Sequence, residues 1–191
     1  LYTASQFLYR SDDTGNSWQK ISPDLTTNDP EKLKQEETGG LTIDNSSAEN
    51  HCTIYAIGES PLDDQVLWVG TDDGNLQVTN DGGDLWTNVT ANVPGLPPTT
   101  WVSYVEPSPH SKAAAFVTFD GHMQGDMQTY VYKTTDFGQS WTNLGTEDTY
   151  GYCNVIRQDL LNPELLFLGT ELLTTIRSNF FKNSLSTFCK L

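Results

Sequence analysis

A short acidic segment with one histidine is the part of this sequence that comes nearest to chemistry. Asp120, His122 and Asp126 lie together in the stretch Asp120–Gln128, which also contains two glycines. Carboxylates beside an imidazole can bind a cation, polarise a sugar hydroxyl or exchange a proton. The alternative is a polar surface loop with a solvated histidine. We therefore treat Asp120, His122 and Asp126 as a candidate binding loop, and no catalytic residue can be assigned.

The other metal-binding or nucleophilic side chains lack a supporting pattern. The three cysteines are Cys52, Cys153 and Cys189. Their spacing is unrelated to that of a zinc site, and the first two fall near the start of predicted strands, where buried free thiols are common. His51 and His110 have no partner pattern. The run Asp72–Asn75 lacks the spaced ligands of an EF-hand and is explained as an Asp-Gly hairpin turn. We expect neither a metal ion nor a cofactor.

Three copies of one phrase provide the scaffold that would hold the candidate loop. Each copy fits Ser/Thr-x-Asp-x-Gly-x-x-Trp and lies between segments of strand character. The Asp can accept backbone N–H groups, the Gly supplies a positive φ, and the Trp begins the next strand with a large apolar surface. We interpret the three copies as structural turns, formed by Ser11, Asp13, Gly15 and Trp18, by Thr79, Asp81, Gly83 and Trp86, and by Thr134, Asp136, Gly138 and Trp141.

Apolar runs bounded by Gly, Asp and Pro divide the chain into units of four predicted strands. In the second unit, for example, Trp86–Thr90 is predicted as the fourth strand. In such units the loop between the second and third strands lies on the face opposite the turn motifs. Asp120–Gln128 and the connector 22–50 are insertions on that face, where function is expected. The units span approximately residues 1–21, which lack a first strand, 51–90, 101–145, and 152–171 onward.

The three phrases closely resemble the Asp box, or bacterial neuraminidase repeat. In the families that carry it, the Asp box joins the third and fourth strands of β-propeller blades and lies away from the active centre. The resemblance implies an all-β fold, a β-propeller with four-stranded antiparallel blades, of which about three are present. Closed propellers usually have about four to eight blades. We therefore expect an incomplete propeller fragment, whose partners include the remaining blades of a parent chain.

The final twenty residues depart from this pattern. Continuing the repeat would place the motif's Asp, Gly and Trp where the chain has Phe180, Lys182 and Leu185. Residues 172–191 contain no acid but three of the ten bases. We interpret 172–191 as an atypical tail, non-native or frame-shifted; the alternative is a genuine but divergent C-terminal strand.

The charge balance restricts the possible partners. The chain carries 25 acids against 10 Lys and Arg residues, for a net charge of −15. Such a surface repels phosphate backbones, so nucleic-acid binding is disfavoured. No run of about 18 apolar residues is present, so no membrane span is expected.

Beyond the Asp boxes, residues 1–171 resemble the large extracellular propellers of the sortilin-like and glycosyl-hydrolase-like repeat proteins. The phrases Ser22–Thr26, Trp68–Gly74 and Tyr130–Asp136 carry this resemblance. It implies a secreted, periplasmic or cell-surface protein that acts as a protein- or glycan-binding or scaffold module. The alternative is part of a xyloglucanase-like glycoside hydrolase, in which a pair of carboxylates does the acid/base work.

The sequence disfavours a sialidase, and we expect this chain by itself not to be an enzyme. Sialidases need three arginines around the substrate carboxylate and an Arg-Ile-Pro tripeptide, which this chain lacks. Its three arginines are Arg10, beside a turn motif, Arg157, and Arg177 in the atypical tail. Three aromatic residues are predicted on the same face as the candidate loop: Tyr150, Tyr152 and Trp101. Rings that cluster there would favour stacking on sugars; the alternative is that they only pack against neighbouring side chains.

Overall fold

The computed structural model describes residues 1–34, 51–146, 149–172, 174–178 and 186–188. In these ranges the chain forms β-strands and two short 3-10 helices, Thr90–Asn92 and His122–Gln124, but no α-helix. The predicted all-β fold is confirmed. Most of the connector 22–50, and the positions 180, 182 and 185 where the repeat departs from its pattern, lie outside the described residues, as does Cys189.

The strands of the described residues form four antiparallel sheets, each built from consecutive strands in chain order. The first sheet contains β1 (Tyr2–Ala4), β2 (Leu8–Arg10) and β3 (Gln19–Lys20). The second contains β4 (Ile54–Glu59), β5 (Leu67–Thr71), β6 (Leu76–Thr79) and β7 (Thr87–Asn88). The third contains β8 (Trp101–Pro107), β9 (Ala115–Asp120), β10 (Tyr130–Thr134) and β11 (Thr142–Asn143). The fourth contains β12 (Cys153–Gln158), β13 (Leu165–Thr170), β14 (Thr174–Ser178) and β15 (Ser186–Phe188).

The last strand of the second sheet is shorter than predicted. The prediction gave Trp86–Thr90, whereas β7 contains only Thr87–Asn88. The cause is a side chain that replaces the backbone ladder: the Leu76 N–H donates to Thr90 Oγ1 at 2.7 Å. Thr90 then starts a 3-10 turn instead of continuing the strand.

The first strand of each four-stranded sheet carries a β-bulge at the same place. The irregularity falls between Ile54 and Ala56, between Val102 and Tyr104, and between Cys153 and Val155. A bulge leaves one residue unpaired and increases the local twist. In β8 the unpaired residue is Ser103, whose hydroxyl donates to Cys153 O at 2.7 Å. This bulge therefore joins the third sheet to the fourth.

The hydrophobic core lies between neighbouring sheets. Trp68 of β5 is fully buried and meets Trp141 of the third sheet edge-on, with ring centroids 5.9 Å apart. Gly70 of β5 allows the second and third sheets to lie this close together, because a side-chain carbon at this position would lie 2.3 Å from Val102 Cγ1 of β8. The tryptophan of a turn motif thus packs on the preceding sheet. Trp18, in the first sheet, is 43% exposed.

The three turn motifs share one hydrogen-bond pattern. The Ser or Thr hydroxyl donates to the Asp carboxylate, at 2.8 Å from Ser11, 2.6 Å from Thr79 and 2.7 Å from Thr134. The same hydroxyl accepts the N–H of the motif glycine. The Asp also accepts the backbone N–H four residues further on, from Ser17, Leu85 and Ser140. Each motif is therefore closed around one carboxylate.

The glycine of a motif also contacts the preceding sheet. A side-chain carbon at Gly138 would lie 2.9 to 3.0 Å from three atoms of Val89, and one at Gly83 would lie 2.4 Å from Ile21 O. Asn92 donates to Gly138 O at 2.8 Å, and Trp86 Nε1 donates to Ile21 O at 3.0 Å. We call these contacts the inter-sheet clamp.

The motif carboxylates give a pH-dependent contribution to stability. Hydrogen bonds from Ser17 and Ser11 lower the pKa of Asp13 to about 2, and a similar set from Ser140 and Thr134 lowers the pKa of Asp136. An unperturbed Asp titrates near 3.8. The folded state therefore binds fewer protons, and this stabilisation is complete above about pH 4 and lost as the pH falls towards about 2.

We expect Asp13→Asn to lower the urea midpoint of unfolding at about pH 5, because the hydrogen-bonded carboxylate is lost. The midpoint of the variant should also fall less than that of the wild type between about pH 5 and about pH 2.5. Asp84→Asn, which removes an exposed carboxylate from the second motif, is the matched control. Urea unfolding followed by fluorescence measures both effects. Identical pH profiles for the wild type and Asp13→Asn would contradict the assignment.

The inter-sheet clamp predicts a difference between two glycines that both have positive φ. Gly138 has φ +81° and meets Val89, whereas Gly95 has φ +72° and no atom within 4 Å of its Cβ position. We expect Gly95→Ala to cost about 1 kcal/mol for the left-handed conformation alone. Gly138→Ala should cost a further ~1–3 kcal/mol through overpacking. Denaturant unfolding measures both, and equal losses would exclude the clamp as a stabilising contact.

Candidate functional site

The candidate loop lies at the end of the sheets where β4, β8 and β12 begin, opposite the turn motifs. At this end Trp101, which opens β8, is paired with Asp120, which closes β9. The connection between β5 and β6 lies at the same end, because Ile54 is paired with Thr71. We call this end of the sheets the loop face.

Asp120 and His122 form a close pair at the start of the candidate loop. Asp120 is 6% exposed, and both of its carboxylate oxygens lie 2.7 Å from His122 Nδ1. The His122 backbone N–H also donates to Asp120 Oδ1 at 2.8 Å. A carboxylate in this position fixes the orientation of the imidazole and favours the tautomer with its proton on Nδ1, leaving Nε2 as an acceptor.

The imidazole of His122 also contacts the fourth sheet. Its ring stacks on that of Tyr152, with centroids 4.6 Å apart and an interplanar angle of 25°. Partial burial, together with the carboxylates of Glu171 and Asp120, raises the pKa of Tyr152. The Asp120–His122 pair therefore lies against the ring of Tyr152, which belongs to the connection between the third and fourth sheets.

Asp126 takes different partners from those of the other two residues. Tyr130 donates its hydroxyl to Asp126 Oδ2 at 2.7 Å, and the Gln128 N–H donates to Oδ1 at 3.0 Å. Burial and this carboxylate raise the pKa of Tyr130 to about 12. The structure thus brings Asp120 and His122 together and ties Asp126 to Tyr130. Among the described residues, no three His, Cys, Asp or Glu side chains are grouped as a metal ion would require.

A second acidic site on the loop face was interpreted from the sequence only as a turn. Asp73 is 1% exposed and accepts hydrogen bonds from both the N–H and the hydroxyl of Thr27, each at 2.7 Å. Thr71 donates its hydroxyl to the same carboxylate. Burial opposes ionisation of Asp73, but the hydrogen bonds from Thr71 and Thr27 outweigh it and lower the pKa.

The neighbouring Asp72 is shifted in the opposite direction. Burial raises its pKa, although Thr53 donates its N–H at 2.7 Å and its hydroxyl at 3.1 Å. His51 Nδ1, which the sequence left without a partner, lies 3.6 Å from Asp72 Oδ2. Two adjacent carboxyl groups with opposite pKa shifts can serve as a proton donor and a fixed negative charge.

A third partly buried carboxyl group lies towards the other end of β8. Glu106 accepts a hydrogen bond from Arg157 at 2.8 Å and one from Tyr104 at 3.5 Å. Burial raises the pKa of Glu106 despite the nearby guanidinium. Arg157 also lies over the Tyr104 ring, 5.2 Å from its centroid. This group links the first strands of the third and fourth sheets.

The cysteines and the aromatic residues take mostly packing roles. Cys52 and Cys153 are buried free thiols, as expected, and burial raises the pKa of Cys153 to about 12. Trp101 packs edge-on against Tyr55, with centroids 4.5 Å apart. Tyr150, in contrast, is 59% exposed on the loop face. In the described part of the chain, no helix is long and apolar enough to cross a membrane.

Neither the family models nor the curated proteins include a match to this chain. Solved structures do match. An ancestral GH74 enzyme aligns with 93% of the chain at 15% identity, a TM-score of 0.62 and 21% coverage of the enzyme. The GH74 xyloglucanase from Xanthomonas campestris aligns with 99% at 17% identity, a TM-score of 0.58 and 28% coverage. YCF48 bound to D1 peptide aligns with 70% at 18% identity, a TM-score of 0.51 and 39% coverage.

This chain spans less than a third of the two GH74 proteins and less than half of YCF48. At these identities the likeness concerns the fold alone. It agrees with three four-stranded antiparallel sheets and one three-stranded sheet, stacked in chain order. The four sheets are blades of a β-propeller, and a fragment of a larger propeller fits this architecture.

Proposed function

We propose that this chain is part of an extracytoplasmic Asp-box β-propeller that binds a protein or glycan ligand on its loop face. In this proposal the three turn motifs are Asp boxes with a structural role. The remaining blades of the parent chain complete the propeller, and the protein is secreted, periplasmic or held at the cell surface. The sequence resemblance to sortilin-like and glycosyl-hydrolase-like repeat proteins supports that location.

The contact of His122 with Asp120 and Tyr152 is the observation that carries the proposal. It combines a fixed imidazole, a buried carboxylate and an aromatic ring, and it joins two blades. Ligand sites commonly combine aromatic surface with a few oriented polar groups. Aromatic rings with a polar edge stack on sugar rings and on peptide side chains alike.

The comparisons are compatible with both kinds of ligand. One similar structure is named as a xyloglucanase, and another, YCF48, was solved with D1 peptide. A shared fold does not transfer either activity to this chain. The choice between a protein and a glycan therefore depends on the chemistry of the loop face itself.

A glycoside hydrolase is the second candidate, favoured by one observation. Burial raises the pKa of Asp72, which is the property required of a general acid. A hydrolase also needs a second carboxylate across the substrate. None is assignable here, so we assign no catalytic residue. The sialidase remains disfavoured, because Arg10 pairs with Asp12 and Arg157 with Glu106.

The whole chain is first screened against immobilised oligosaccharides and peptides to find a ligand. The binding proposal predicts that Tyr152→Ala lowers the affinity for that ligand. We expect a loss of about tenfold or more in affinity, because an aromatic anchor at a site centre carries much of the binding energy. Leu160→Ala is the matched control, since this leucine is 76% exposed in the β12–β13 turn at the opposite end of the sheets. Equal affinity for wild type and Tyr152→Ala would place the ligand elsewhere.

The same protein should release no reducing sugar from xyloglucan above a protein-free blank. If sugar is released and Asp72→Asn abolishes the release while leaving the folded state intact, the hydrolase replaces the binding module. Circular dichroism of both proteins provides the control for folding.

A further inference from the structure

Both methionines of this chain lie in the candidate loop, and both are exposed. Met123 is 67% exposed and Met127 is 49% exposed. Two more large apolar side chains on the loop face are uncovered, Tyr150 at 59% and Leu172 at 65%. We call Met123, Met127, Tyr150 and Leu172 the Met-loop patch. Exposed apolar side chains that cluster in this way mark interaction surfaces.

Hydrogen bonds hold the parts of the Met-loop patch next to one another. The hydroxyl of Thr129, two residues after Met127, donates to Thr149 O at 3.2 Å and to Gly151 O at 2.8 Å. Tyr150 lies between these two acceptors. A side-chain carbon at Gly151 would lie 3.6 Å from Leu172 Cγ. The end of the loop therefore lies next to two connections of the fourth blade, and the stacking of His122 on Tyr152 holds the start of the loop, beside Met123, against the first of them.

Carboxylates surround this apolar surface. Asp120 begins the loop, Asp126 lies between Met123 and Met127, and Glu171 precedes Leu172 and is exposed. Between residues 113 and 156 the sequence contains a single Lys or Arg, Lys133. Lys133 is paired with Thr142 in the hairpin that carries the third Asp box, and its ammonium lies 5.6 Å from the centroid of the Phe116 ring. Among the residues whose side chains the structure describes, the patch thus combines apolar side chains and negative charge without a balancing Lys or Arg beside it.

We propose that the Met-loop patch binds a basic, apolar peptide segment, in which Lys or Arg residues alternate with large apolar residues. This inference rests on the proposed binding function and names its ligand class. Methionine side chains are flexible and polarisable, so they adapt to varied apolar partners. The surrounding carboxylates attract the cationic side chains and repel acidic segments. The net charge of −15 adds a long-range attraction for cationic peptides.

The test uses the full chain and three fluorescent peptides of about twelve residues, measured by anisotropy. One alternates Lys and Leu, one Glu and Leu, and one Lys and Ser. We expect only the Lys/Leu peptide to bind well, with the other two at least about tenfold weaker. Raising the salt from about 50 to about 500 mM should weaken binding without abolishing it. Equal binding of the Glu/Leu peptide would overturn the proposal.

Two double variants locate the peptide. Met123→Ser combined with Met127→Ser should lower the affinity for the Lys/Leu peptide about tenfold or more. Leu160→Ser with Leu161→Ser is the matched control, because these leucines are 76% and 93% exposed at the opposite end of the sheets. The control pair should bind like the wild type. A loss confined to the control pair would place the peptide on the other face and overturn the proposal.

Oxidation provides a test without a folding risk. Hydrogen peroxide transfers one oxygen atom to each thioether sulfur and leaves as water, which makes the two methionines polar. Peptide binding should fall when mass spectrometry finds both sulfoxides. Met123→Leu with Met127→Leu should keep its binding after the same treatment. Unchanged binding by the doubly oxidised wild type would contradict a role for the patch.

The outcomes separate this inference from the function on which it rests. A glycan ligand that is sensitive to Tyr152→Ala, with no bound Lys/Leu peptide, would overturn the peptide class and keep the binding face. A Lys/Leu peptide that binds equally to wild type and Tyr152→Ala, but not to the Met-to-Ser pair, would keep the patch and exclude the His122–Tyr152 site. Binding of neither ligand would remove both proposals.

Discussion

The inter-sheet clamp is the contact on which the stacking of the first three sheets depends. Each sheet has two faces to cover, and the last strand of each of the first three sheets contains only two residues. The clamp joins neighbouring sheets directly after two of these short strands: Gly83 and Trp86 meet Ile21, which follows β3, and Gly138 meets Val89, which follows β7. Because glycine leaves no side chain in the gap, the backbone of one sheet packs directly on the next.

The candidate site on the loop face depends on the same kind of stacking, here between the third and fourth sheets. The pair of Asp120 and His122 belongs to the third sheet, and Tyr152 belongs to the connection into the fourth. Their ring contact exists only while the two sheets keep their relative positions. The same is true of the hydrogen bond from Ser103 to Cys153 O, which joins the two sheets beneath the site. The rigid end with the turn motifs therefore supports an opposite end whose loops are free to vary.

Sequence reasoning was effective where an interaction is local. The turn motifs close within eight residues, so their residue types predicted the hairpins, and the apolar runs between them predicted the sheets and the face that carries the candidate loop. Contacts between distant residues were not visible. Thr27 reaches Asp73 across 46 positions, and neither residue alone differs from an ordinary turn residue. The sequence named His122 as a candidate, but its stacking partner, 30 residues later, depends on how two sheets pack.

The clamp also has a direction along the chain. The second motif contacts Ile21 of the first sheet, and the third contacts Val89 and Asn92 of the second. In each case the motif docks on a segment that the ribosome has already made. Each new blade can therefore be added to a finished surface as it emerges, and no blade has to wait for a later one to form its clamp. A synthesis pause after a motif would leave a docked sheet behind it, with only its leading face uncovered.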